Sequence, residues 1–114
     1  MFQINGQTWF IKIIDPNNEV FVMDNGMHTI GVCDNNTKTI FLSNQLRGNL
    51  LKKVLCHELV HAAMFSYQVE LDLEQEELVA NLIATYGEEI IQKTNEIFKR
   101  LHYMYPLFLF YAQS

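Results

Sequence analysis

The spacing of apolar and polar positions changes character once along this chain, near residue 43. Before that point the apolar runs are short and punctuated by turn residues. Gln7 to Ile14 is rich in Trp, Phe and Ile, and Asp15-Pro16-Asn17-Asn18 closes it. Val20 to Met23 reads as a second short strand, ended by Asp24-Asn25-Gly26. His28 to Cys33 reads as a third, turning at Asp34-Asn35-Asn36-Thr37 and returning as Lys38 to Leu42 in a hairpin. These segments predict a small, twisted antiparallel sheet.

Beyond Ser43-Asn44, either of which can cap a helix, the period becomes helical. One helix is predicted from about Asn49 to Tyr67, with Gly48 in or just before its opening turn. Apolar residues between Leu50 and Phe65 point in almost every direction, the pattern of a central, buried helix. A second starts near Leu73-Glu74, where Glu74, Glu76 and Glu77 suit the positive end of the helix dipole, and runs to Tyr86. Gly87 is expected to kink or divide it before Glu88 to His102 continues, and Pro106 marks the stop. The fold class expected is α+β, in a single domain over residues 1–114 with C-terminal helices.

Composition narrows the function. The chain has 114 residues, 49% of them hydrophobic and 18% charged, enough for a core without disulfides. Lys and Arg number 8 against 13 Asp and Glu, so no basic stripe is available and nucleic acid is not an expected partner. The longest apolar stretch near the C-terminus, Leu107 to Tyr111, is far short of a membrane span. With no secretory signal and only Cys33 and Cys56 as thiols, a cytoplasmic location is expected.

The chemistry stands in the first helix. Cys56-His57-Glu58-Leu59-Val60-His61-Ala62 contains H-E-x-x-H, a pattern arising by chance on the order of once in a hundred chains of this composition. Residues i and i+4 share a helical face, so His57 and His61 can converge on one zinc ion. Glu58 is placed to reach a zinc-bound water without being a ligand, and can serve as general base. Its flanks, Val54-Leu55-Cys56 and Ala62-Ala63-Met64, are uncharged, and in that setting the three polar residues need a partner. Cys56 points about a quarter-turn away and reads as core. Lys52-Lys53 and Lys99-Arg100 read as solvated pairs, and His28 and His102 as surface or hydrogen-bonded histidines.

The third ligand sorts the possibilities. The extended pattern ending in Gly and His fails, because those positions are Met64 and Tyr67. A glutamate from the following helix is the other solution. Glu77 is the first choice and Glu76 the second, with Asn81 one turn after Glu77 to orient a ligand histidine. Together, His57-Glu58-Leu59-Val60-His61 and Glu77-Leu78-Val79-Ala80-Asn81-Leu82-Ile83-Ala84 resemble the ImmA/IrrE-type zinc metallopeptidases of bacteria, prophages and mobile elements. The resemblance covers roughly Thr37 to Tyr86. It implies that His57, His61 and Glu77 bind zinc and that Glu58 is the base in hydrolysis of a protein or peptide substrate. The chain departs from longer members in lacking a fused DNA-binding domain and in its compact spacing from His61 to Glu77. Two alternatives stay open: a catalytically silent zincin-fold interaction module, and an SprT-like peptidase with His102 as a distant ligand. Homo-oligomerisation is also open, with the aromatic tail from Tyr103 to Tyr111 as the covering surface.

Overall fold

A computed structural model of the protein describes residues 1–104. Pro106 and all but the start of the aromatic tail therefore lie outside the described residues. The architecture is α+β, a mixed four-stranded sheet with two helices. The strands are β1 (Phe2–Ile4), β2 (Gln7–Ile14), β3 (Gly31–Asp34) and β4 (Thr39–Ser43), and the helices are α1 (Gly48–Ser66) and α2 (Leu73–Met104).

The expected antiparallel sheet is corrected here. Strand order is β1-β2-β4-β3; β1 with β2 and β3 with β4 are antiparallel, but β2 runs parallel to β4. The long connection after Ile14 carries β3 to the outer edge, so the returning β4 inserts beside β2, pairing Phe10 with Thr39 through to Ile14 with Ser43. The expected strand at Val20–Met23 is a 3-10 turn over Glu19–Phe21. Asn18 caps it through Oδ1, which accepts from the Val20 N–H. Phe21, fully buried, anchors that turn. β1 was not expected. Asn5 and Gly6, with φ of 50° and 76°, form the two-residue turn that pairs Ile4 with Gln7.

One face of the sheet packs on α1 around Trp9, Ile40, Leu42, Leu46 and Ala62. Trp9 donates its indole N–H to Ser66 Oγ at 2.8 Å, which ties β2 to the C-terminal end of α1. α1 is less enclosed than its all-round apolar pattern predicts. Its buried residues are Glu58, His61, Ala62, Met64 and Ser66, whereas Leu50 is 55% exposed. Among the described residues one sheet and one neighbouring helix pack on it, and these do not surround it. Neither expected cap residue caps it: Arg47 is the N-cap and makes no capping bond, while Ser43 Oγ accepts from Gln45 N–H in the preceding turn.

α2 passes through Gly87 without a break and is one helix, not two. A glycine costs a helix interior about 1 kcal/mol, which does not by itself end it. Among the described residues, no helix is long and apolar enough to cross a membrane.

Candidate metal centre

Two local structures bring the site together. α1 ends in a Schellman turn, in which Val69 N–H donates to Met64 C=O and Gln68 N–H to Phe65 C=O, with Gln68 at φ 54°. The chain reverses there and starts α2 with a capping box. Asp72 Oδ1 accepts from Gln75 N–H at 2.8 Å, and Gln75 Oε1 accepts from Asp72 N–H at 3.3 Å. These two motifs set the rotation of α2 and so decide which glutamate meets which side of the α1 histidines.

His57 and His61, four residues apart on α1, turn their Nε2 atoms toward each other at 3.1 Å. Glu77 faces both rings with its two oxygens, Oε2 lying 3.2 Å from His57 Nε2 and Oε1 2.9 Å from His61 Nε2. All three ligand atoms lie within 4.8 Å of one another, and this His-His-Glu group can hold a metal ion. Glu76, the second choice for that position, points elsewhere. Its Oε1 is 2.6 Å from His61 Nδ1, on the opposite side of the ring. A proton held on Nδ1 by that carboxylate leaves the Nε2 lone pair free for a cation. Asn81 lines the cleft but makes no hydrogen bond to either histidine; Glu76 supplies the orienting contact instead.

Glu58 is buried on α1. Burial pushes its carboxyl up to about 7; His61 opposes that rise and Glu77 adds to it. Space for Glu58 comes from Gly31 on β3. A Cβ at Gly31 would lie 2.8 Å from Val54 Cγ1 and 3.2 Å from Glu58 Cγ, so the helix and the edge strand approach as closely as they do only because position 31 has no side chain. Glu58, His57, Glu77 and Asn81 line one cleft of about 510 Å³, with Thr29 to Val32 as one wall and Met23, Leu50 and Ala84 among its apolar lining.

Sequence reasoning missed two residues here. Gly31 was signalled by a glycine inside a strand pattern. Lys53 was read with Lys52 as a solvated pair, but among the described residues only Lys52 of the two has an ion-pair partner, Glu88 at 2.9 Å. Lys53 lines the cleft, one helical turn before His57. Cys56 is outside the metal group, as its direction on the helix predicts. His28 sits in an isolated bridge with Val22. His102 stands 25 residues beyond Glu77 on α2, ~37 Å away at the helical rise per residue. No protein-family pattern, no curated protein and no solved structure matches this chain.

Proposed function

We propose that this protein is a zinc-dependent metallopeptidase that hydrolyses a peptide bond in a protein or peptide substrate. The observation that carries the reading is the convergence of His57, His61 and Glu77 beside the buried carboxyl of Glu58. The donor set suits zinc. A tetrahedron with zinc–ligand bonds of 2.0–2.1 Å has edges of about 3.3 Å; the two Nε2 atoms stand 3.1 Å apart, and Glu77 presents one oxygen to each, Oε1 at 2.9 Å from His61 and Oε2 at 3.2 Å from His57. Two imidazoles and one carboxylate leave a fourth position open, as a catalytic site requires and a structural one does not.

Zinc bound there supplies a Lewis acid that acidifies a water and polarises a carbonyl. Everything else falls to the chain. His57, His61 and Glu77 present their lone pairs in one place, and Glu76 fixes the tautomer of His61. Glu58, with a carboxyl near neutrality, is matched to accept a proton from the attacking water and return it to the leaving amine. The substrate strand has a place to lie. β3 is an outer strand, and its register with β4 leaves the backbone N–H and C=O of Gly31 and Cys33 directed away from the sheet. An extended segment pairing there passes along the wall of the cleft.

The test is Glu58→Gln, assayed for zinc content and for cleavage of an unstructured protein such as casein. The expected result is full zinc occupancy with cleavage reduced at least 100-fold, in the range a general base supplies. Equal cleavage by the two proteins overturns the assignment of Glu58. A native protein that binds zinc and cleaves nothing points to the interaction module instead.

A further inference from the structure

We infer that Lys53, with the amide of Asn81, forms a subsite of the cleft that binds a carboxylate of the substrate, either an Asp or Glu side chain or the free C-terminus of a peptide. The inference deepens the peptidase reading above and rests on it. The polar side chains lining the cleft are Thr29, Lys53, His57, Glu58, Glu77 and Asn81. His57 and Glu77 belong to the metal group, Glu58 is the candidate base, and the Thr29 hydroxyl donates to Gly31 C=O at 3.3 Å. Lys53 and Asn81 are left over. Both are exposed, and among the described residues neither side chain has a hydrogen-bond or ion-pair partner. Lys53 also borders the neighbouring groove between α1 and α2, but the acid lining that groove, Glu88, is held by Lys52 at 2.9 Å. That groove leaves Lys53 no spare carboxylate.

Position decides what part of a substrate reaches them. Lys53 stands four residues before His57 on α1, and Asn81 four after Glu77 on α2, a rise of ~6 Å in each case. The two helices run in opposite directions, since His61 meets Glu76 and Lys52 meets Glu88, so both steps lead the same way along the cleft. An extended peptide advances about 3.3 Å per residue. A group held by Lys53 therefore belongs to the first or second residue from the scissile bond. An ammonium beside an amide N–H₂ offers donors and a positive charge, which suits a carboxylate and repels a cation. The carboxylates of the cleft, Glu58 and Glu77, lie at its metal end, where a bound zinc dication offsets their charge. Lys53 is then the uncompensated charge, and Leu50 and Ala84 beside it offer no competing polar group.

Short fluorescent peptides test this, identical except for Glu, Gln or Lys scanned through successive positions, each with a free or an amidated C-terminus. Their binding to the zinc-loaded Glu58→Gln chain is read by anisotropy, and their cleavage by the native chain in competition. At one position, Glu is expected to be favoured over Gln about threefold to fivefold and Lys to be disfavoured, the range of an exposed ion pair. A preference that ignores the scanned side chain and disappears on amidation assigns the carboxylate to the C-terminus. Lys53→Glu, made in both chains, is expected to reverse the ranking, acidic below basic, while keeping the zinc content of its parent. Asn81→Ala is expected to reduce the preference without reversing it. At ~1 M salt, where the screening length falls to about 3 Å, the preference should fade. A merely structural Lys53 would weaken all peptides alike and leave their ranking in place. No binding, equal binding and cleavage of all the peptides, or a ranking that Lys53→Glu leaves unchanged overturns the inference; cleavage without discrimination still leaves the peptidase reading standing. The expected ranking in binding, with no cleavage by the native chain, overturns the peptidase reading and keeps the carboxylate subsite.

Discussion

Gly31→Ala isolates the contact that seats the candidate base. The φ of Gly31 is not in the left-handed region, so an alanine backbone fits the strand without strain. On backbone grounds alone the substitution would stabilise the protein by about 0.4–1 kcal/mol, by restricting the unfolded chain. The new Cβ, however, meets Val54 Cγ1 at 2.8 Å, Glu58 Cγ at 3.2 Å and Glu58 Oε2 at 3.4 Å. Overpacking of this kind costs about 1–3 kcal/mol, which leaves a net loss of about 1–2 kcal/mol. The side chain also presses directly on Glu58, and a displacement of up to an ångström at a catalytic group lowers rate by about 100-fold. Urea unfolding reads the first effect as a lower midpoint at unchanged slope; turnover of an unstructured protein reads the second. Combining Gly31→Ala with Val54→Ala removes the closest clashing atom, so the two losses should fall short of additive by about 1 kcal/mol. A midpoint and a turnover rate both unchanged by Gly31→Ala would refute the packing argument.

Three further outcomes are expected. Glu76→Gln should keep the ligand set but weaken zinc affinity about 10- to 100-fold, measured by competition with a fluorescent chelator; unchanged affinity would remove Glu76 from the site. Burial, first, and the neighbouring Glu58 push the Cys33 thiol up to about 12 from an ordinary value of 9.0. The folded state therefore holds that proton more tightly than the unfolded chain. Its contribution to stability is complete below pH 9 and lost as pH rises toward 12, on the order of 1 kcal/mol by pH 10. Urea midpoints of native protein and Cys33→Ala between pH 8 and 10.5 should show the steeper fall in the native chain, and parallel curves would refute it. Chelation should lower Tm and zinc should restore it, since a metal shared by α1 and α2 stabilises the folded state by mass action.

Short-range signals carried most of what the sequence revealed. The β3–β4 hairpin, both helix positions and the His57–His61 pairing follow from spacing over a few residues, and the structure places them where spacing does. Two local signals were present and overlooked: Asn5-Gly6, which makes β1, and the Asp72–Gln75 capping box. The parallel pairing of β2 with β4 was not legible, because it depends on a long connection folding outward, which no local pattern encodes. The choice between Glu76 and Glu77 was of the same kind. Adjacent residues on a helix point about 100° apart, and the rotation of α2 is settled by the Schellman turn and capping box upstream. Both glutamates found a use, one among the converging ligand atoms and one on the far side of His61. The all-round apolar surface of α1 pointed to a central helix; among the described residues one sheet and one neighbouring helix leave part of it uncovered.

The central claim is that His57, His61 and Glu77 hold one zinc ion. Elemental analysis after zinc loading and desalting, run in parallel on the native chain, Glu58→Gln and Glu77→Ala, addresses it most directly. The account predicts one zinc per chain for the first two proteins and a loss of most of it for the third, with all three folded by circular dichroism. A native chain without zinc, or Glu77→Ala retaining zinc at full stoichiometry, would contradict it.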